Sequence, residues 1–284
     1  MVERTENNLA EIPLGSAEIQ SAIGASSVTY ALASDVGRQR NLNEDSAFAL
    51  SQDWVSAQGV QTLGLFILAD GMGGHSGGER ASLAAVGAAS EVLIRDVILP
   101  FSDQGGDGWR MSPLQEAMAG AFEGAQRRVQ LEVPGGATTL TIALLIARRI
   151  YVGHVGDCRL YLWRGGELTA WTRDHSVLSR LIELGQVDSA EADSLLNDPR
   201  RNALYRAVGQ PGELEVDFFS KALEPDDGLL LCSDGLWGTV PPGTLAHVLS
   251  SAQSPKVACR QMIDVANEAG GPDNITAIFI CPTG

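Results

Sequence analysis

Four aspartates stand at the ends of strongly apolar runs, and they are the residues of this 284-residue chain best placed to do chemistry. Leu63–Ala69 runs into Asp70-Gly71, Ile150–Val155 into Gly156-Asp157, and Leu229–Cys232 into Ser233-Asp234-Gly235; Asp273-Asn274 comes directly before Ile275–Cys281. A single Asp-Gly or Gly-Asp pair is an ordinary turn former, and Asp107-Gly108 and Asp227-Gly228 read as that. Four carboxylates at the mouths of buried strands are a different matter, because rigid scaffold holds them where solvent is near. Clustered without partners they repel by several kcal/mol at an effective dielectric of ~20, so the cluster requires a cation. Oxygen ligands without a histidine or cysteine cluster favour Mg²⁺ or Mn²⁺ over Zn²⁺ or copper. Two such ions about 3.5–4 Å apart are the usual arrangement for in-line attack of hydroxide on a phosphorus ester.

A phosphate also needs a cationic clamp. Residues 34–45 (SDVGRQRNLNED) place Arg38, Arg40, Glu44 and Asp45 in one loop between strands. The plain reading is a charged, solvated connection. As part of a site, one guanidinium grips phosphate oxygens bidentately while Glu44 and Asp45 hold metal-bound water. The cysteines (158, 232, 259, 281) are scattered, form no C-x-x-C pair and read as small buried hydrophobes.

The elements that must position these groups follow from pattern. Strands are expected at 28–33, 46–50, 60–69, 139–146, 150–155, 159–163, 167–171, 214–219, 228–232 and 275–281, with Gly165-Gly166 as a two-residue hairpin turn. Ser112-Pro113 followed by Gln115 reads as N-cap, first-turn proline and capping box, with Leu114, Met118, Phe122, Ala125 and Val129 on one face. Ser254-Pro255 repeats the signal, with Val257, Met262, Val265 and Ala269 expected inside and Gly270-Gly271 as the stop. An alanine-rich helix is expected at about 79–99. Strands arrive in clusters with helices grouped between them, which argues for antiparallel sheets covered by helices rather than a parallel βαβ sheet. Residues 174–209, the most charged stretch, interrupt this order with short helical runs at 177–184 and 190–195 and read as a flap.

Composition closes off several classes. A hydrophobic fraction of 44% with 19% charged residues is that of a folded globular chain. Acidic residues outnumber basic ones 35 to 20, a net charge of −15 that repels phosphate backbones and anionic lipid. No apolar run is long enough to span a bilayer and the start lacks an export signal, so a cytoplasmic protein without nucleic-acid partners or membrane insertion is expected.

Taken together, the pieces resemble the metal-dependent serine/threonine protein phosphatases of the PPM, or type 2C, family in its bacterial branch. The matching stretches are 34–45, 69–75 (ADGMGGH), 136–140 (GATTL), 155–159 (VGDCR), 172–176 (TRDHS), 231–235 (LCSDG) and 271–276 (GPDNIT), in the family's order. The resemblance implies an α+β fold, an αββα sandwich of two antiparallel sheets flanked by helices with a flap between strands. Residues 1–27, polar and acidic with no sustained period, read as a flexible tail, and the resemblance implies one phosphatase domain over 28–284. By motif position, Asp70 bridges two Mn²⁺ or Mg²⁺ ions, the Gly71 carbonyl binds one of them, and Asp234 and Asp273 complete the other's shell. Asp157 matches the ligand of a third, weaker ion; Arg40, rather than Arg38, matches the phosphate-binding arginine, and Glu44 and Asp45 lie near metal waters. The implied reaction is direct attack of a metal-bridging hydroxide on phosphoserine or phosphothreonine, with no phosphoenzyme and with Cys158 and Cys232 as bystanders.

One departure stands out. Met72 replaces a histidine that many eukaryotic members have as a proposed general acid, so a metal-bound water or His75 would have to supply the leaving-group proton. His154, His175 and His247 fall on a strand, at the flap's base and on a helix. The implied partners are phosphoserine and phosphothreonine proteins and a cognate serine/threonine kinase, for a monomeric enzyme. The alternatives are a non-catalytic phosphoprotein-binding adaptor and a regulatory phosphatase acting on anti-sigma-factor antagonists. The first usually loses metal aspartates; the second usually carries sensor domains and a more divergent metal set.

Overall fold

The computed structural model describes residues 28–56, 59–72, 77–100, 111–187 and 203–282. The expected tail, the second flap run at 190–195, Asp107-Gly108 and His75 lie outside them. In chain order come β1 (Val28–Asp35), β2 (Asp45–Ser56), β3 (Gly59–Met72), α1 (Gly77–Leu93) with a π-helical turn over Ile94–Ile98, and α2 (Met111–Glu132). Then follow β4 (Ala137–Thr138), β5 (Leu140–Ile146), β6 (Arg149–Val155), β7 (Arg159–Arg164), β8 (Glu167–Ala170) and α3 (Val177–Glu183). The chain closes with β9 (Asp217–Ala222), β10 (Gly228–Cys232), α4 (Asp234–Trp237), α5 (Pro242–Ser251), α6 (Pro255–Glu268) and β11 (Ile275–Pro282).

Every strand pairing among the described residues is antiparallel, in two sheets ordered β1-β11-β10-β7-β8 and β2-β3-β5-β6-β9, with β4 paired to the end of β3. The expected αββα sandwich is what forms. Successive strand residues point to opposite faces, and the central strands are apolar on both because both faces are covered. On β3, Leu63, Leu65, Ile67 and Ala69 pack with α1 and α2, while Phe66 and Leu68 face the other sheet. On β10, Leu230 and Cys232 pack beneath α5 and α6, and Leu229 and Leu231 complete the layer between the sheets. Each fully buried Leu or Ile of that layer contributes about 1.5–3 kcal/mol. Gly165 and Gly166 make the β7–β8 turn with φ of +58° and +86°, values that glycine adopts freely.

Four local expectations are corrected. The α2 helix already begins at Met111, so Ser112 and Pro113 lie in its first turn rather than ahead of it; its expected face of Leu114, Met118, Phe122, Ala125 and Val129 is buried. On α6, Ser254 does cap the helix, but the buried face is Ala258, Cys259, Met262, Ile263 and Ala266, leaving Val257 and Ala269 exposed. Residues 214–216 precede β9 instead of opening it: Leu214 and Val216 pack on the helical core, and the ladder to β6 starts at Asp217. Thr139 breaks the expected strand at 139–146, because its hydroxyl takes the Asp70 N–H at 2.7 Å in place of a backbone partner. Helix α4 had no forecast, and α5 was anticipated only in the placing of His247 on a helix. The chain enters α5 through Pro241-Pro242 with no side-chain cap.

Candidate metal centre

Both sheets bring carboxylates to the same end of the sandwich. Asp70, near the end of β3, sits directly opposite Asp45, the first residue of β2. Asp234 follows β10 as the first residue of α4, and Asp273 stands just ahead of β11, the strand paired with β10. Asp157 lies in the turn from β6 to β7, where the chain crosses from one sheet to the other. Like charges opposite each other in an antiparallel pair are destabilising, so the Asp45–Asp70 pairing is a cost that ordinary sheet packing does not repay.

The electrostatics say the same. Burial raises Asp45 to about 7, and Asp234 and Asp273 add to it against hydrogen bonds from Thr276 and Ser233. Asp234 is raised to about 6, first by burial and then by Asp273. Burial and the neighbouring aspartates push Asp70 and Asp157 well above the usual carboxylate range. Two buried oxygens, Asp45 Oδ1 and Asp234 Oδ1, have no hydrogen-bond partner among the described residues. Orphaned carboxylate oxygens inside an acidic cluster are what an oxygen-loving divalent cation fits. Among the described residues no three donors yet converge on one point, and Asp273 Oδ2 is instead held by Arg40 at 2.8 Å.

Hydroxyls and backbone fix the carboxylates. Asp45 Oδ2 accepts from Ser233 Oγ at 2.8 Å and from Thr276 Oγ1 at 2.6 Å, so one side of that carboxylate is tied to the opposite sheet. The Asp70 carbonyl accepts from Thr138 Oγ1 and from the Thr139 N–H, both at 2.8 Å. The Asp157 carbonyl accepts from Trp237 Nε1 at 2.9 Å, and the Trp237 ring lies 3.5 Å beneath the Arg159 guanidinium. Arg159 itself grips Asp174 with two bonds of 2.8 and 2.7 Å, at the root of the flap.

Arg40 and Glu44 stand at the rim. The Arg40 side chain, 47% exposed, spans from Asp273 to Glu44, 3.9 Å away. Burial raises Glu44, with Arg40 pulling against it. Gly71 donates its N–H to the Glu44 carbonyl at 3.1 Å. A Cβ on Gly71 would stand 2.1 Å from the Gly78 carbonyl oxygen, so only glycine lets the start of α1 close on this strand end.

The remaining candidates fall elsewhere. Arg38 is exposed and its N–H is held by the Gly271 carbonyl. Cys158, Cys232 and Cys259 are buried with thiols pushed upward, which fits the bystander reading. His154 bonds Thr141 Oγ1 at 2.9 Å, and burial holds it down to about 4. His175 meets the Gly156 N–H at 3.1 Å through Nδ1. Asp227 is a turn residue, clamped by Arg164 at 2.7 and 2.8 Å. Sequence reasoning passed over Ser233, Thr276, Thr138, Thr139, Asn274, Asp174 and Trp237 as parts of the site. All but Trp237 lie inside the quoted motifs, and that placement was the signal available.

Two antiparallel sheets face to face, helices outside, and a carboxylate cluster with an arginine at its rim are the marks of a metal-dependent phosphatase. The family model described as Protein phosphatase 2C matches residues 40–275, and the chain belongs to that family. Among curated proteins it is 33% identical over 246 residues to the serine/threonine phosphatase stp of Listeria welshimeri, covering 87% of this chain and 92% of that one. The crystal structure of the serine/threonine phosphatase PstP/Ppp of Mycobacterium tuberculosis superposes with a TM-score of 0.73 at 31% identity, over 90% of this chain and 99% of that one. A crystal structure of the catalytic domain of PstP in complex with two manganese ions matches with a TM-score of 0.71 at 30% identity, over 92% and 100% of the two chains.

Proposed function

We infer that this chain is a metal-dependent serine/threonine protein phosphatase that hydrolyses phosphoserine and phosphothreonine in proteins. The observation that carries the reading is the buried acidic cluster of Asp45, Asp70, Asp157, Asp234 and Asp273 with its orphaned oxygens. In this reading Asp70, with the Gly71 carbonyl, Asp234 and Asp273 hold two Mn²⁺ or Mg²⁺ ions. Asp45 and Glu44 orient water around them, and Asp157 holds a third ion more weakly. The bound ions supply a water acidic enough to attack phosphorus at neutral pH and offset charge on the phosphate oxygens.

The chain's own groups do the rest. Arg40 leaves Asp273 to grip two phosphate oxygens, a bidentate geometry that its planar guanidinium fits and an ammonium does not. The hydroxyls of Ser233 and Thr276 hold Asp45 with one oxygen free toward the site. Met72 cannot donate a proton, so the seryl or threonyl oxygen takes its proton from a water ordered near Asp157. The flap, read as 174–209, selects among phosphoproteins. Retention of every carboxylate disfavours the adaptor reading.

In this reading the enzyme works in the cytoplasm as a monomer and opposes a serine/threonine kinase. No helix among the described residues is long and apolar enough to cross a membrane. The test is turnover of a generic phosphothreonine peptide with Mn²⁺. Release of phosphate supports the reading, whereas tight peptide binding without release supports an adaptor.

A further inference from the structure

Asn274 stands between Asp273 and β11, only 3% exposed, and its amide serves a single loop. Its Oδ1 accepts from the Glu44 N–H at 2.8 Å, and its Nδ2 donates to the carbonyls of Val36 and Leu42, both at 2.9 Å. Those three backbone groups bracket the loop whose middle residue is Arg40. A side chain with one acceptor and two donors is needed there, which an aspartate or a leucine of similar size cannot offer.

The same stretch braces the loop from beneath. Gly37, at φ +82°, lies so close to Asp273 that a Cβ would stand 2.2 Å from the Asp273 carbonyl oxygen. Arg38 and Gln39 donate their N–H groups to the Gly271 carbonyl at 2.8 and 3.2 Å. Arg40 itself is half-exposed on a long stem, so its position is set by the backbone beneath it rather than by packing around it.

We propose that Asn274 is a positioning residue for Arg40: it fastens the loop at Val36, Leu42 and Glu44, and phosphate affinity depends on it through the guanidinium. The inference rests on the reading of Arg40 as the phosphate clamp. Removing the amide leaves two carbonyls and one N–H to find water, the loop loosens, and the guanidinium is no longer held over the phosphate position.

The experiment is a double-mutant cycle on the Mn²⁺-loaded enzyme with Arg40→Ala, Asn274→Ala and the pair. It reads competitive inhibition of p-nitrophenyl phosphate hydrolysis by inorganic phosphate, and Mn²⁺ affinity by calorimetry. Asn274→Ala is expected to weaken phosphate about tenfold, as loss of a well-placed charged hydrogen bond does, with Mn²⁺ affinity changed by less than about threefold. In the Arg40→Ala background the second substitution should then cost nothing more. Asn274→Ser, which keeps one hydrogen bond, should fall between, and it carries the test if the alanine variant does not fold. Additive losses, an unchanged phosphate affinity in Asn274→Ala, or loss of Mn²⁺ in step with phosphate overturn the positioning role while leaving the clamp. An unchanged phosphate affinity in Arg40→Ala removes the clamp reading, and the positioning role with it.

Discussion

A carboxylate that faces four others in a buried strand end is stable only if something cationic joins it, and single substitutions around the cluster should separate ligands from orienting groups. Arg40→Ala is expected to raise KM and lower kcat/KM by roughly tenfold to a hundredfold, since a charged hydrogen bond contributes ~1.5–3 kcal/mol. Steady-state kinetics checks this, and the same loss in Arg38→Ala instead would mean that the loop's register is wrong. Asp157→Ala should keep two tightly bound ions while kcat falls, more for phosphoserine than for p-nitrophenyl phosphate. The aryl ester departs without a proton; a seryl alkoxide does not. Metal counting beside kinetics on both substrates decides the matter, and equal losses would place Asp157 in the two-ion site. At this scale the sequence was readable where an aspartate ended an apolar run. It was not readable at Ser233, Thr276 or Thr139, because hydroxyl residues are common near turns and only the fold shows that theirs point at Asp45 or Asp70.

Elements explain why those side chains meet. The β2–β3 register sets Asp45 against Asp70, and the antiparallel β10–β11 pair brings Asp234, just past the end of β10, near Asp273, just ahead of β11. The flap is tied to the same end by both of its legs. The Val208 N–H donates to the Thr138 carbonyl and the Thr138 N–H returns to Val208, at 2.8 and 2.9 Å, while the His175 N–H donates to the Gly156 carbonyl at 2.7 Å. Exchanging 174–209 for a relative's flap should therefore change which phosphoproteins are dephosphorylated while leaving p-nitrophenyl phosphate hydrolysis within a few fold. An unchanged protein-substrate profile would count against the selective role. Strand and helix order was legible because apolar runs, caps and glycine turns agree. The misses have physical causes. The α6 face is offset by a residue from the spacing read, β9 carries the exposed Phe218 and the polar Ser220 and Lys221 of an edge strand, and α5 begins on two prolines.

For the whole molecule, the raised carboxylates make the metal-free protein sensitive to pH in a defined direction. Asp45 near 7 and Asp234 near 6 lie above the unfolded value of ~3.9, so between about pH 4 and 7 these carboxyls bind more protons in the folded state and outweigh the opposite effect of buried His154, held down to about 4, and His175. Their contribution is full below that window and is lost as pH rises through it; Asp35, held low by the Gly37 N–H, acts only beneath it. In EDTA the urea midpoint should fall from pH 5 to pH 7.5, and Mn²⁺ should restore it at pH 7.5. A midpoint that rises over that range without metal would contradict the buried-acid account.

The most direct test of that account is hydrolysis of a phosphothreonine peptide by purified protein in excess EDTA and after return of Mn²⁺ or Mg²⁺, with Asp70→Asn and Asp234→Asn alongside and bound metal counted by calorimetry. The expected result is no turnover in EDTA, recovery with either ion, two tight ions in the native chain, and lost metal and turnover in both folded variants. Full turnover in EDTA, or native activity in Asp70→Asn, would contradict it.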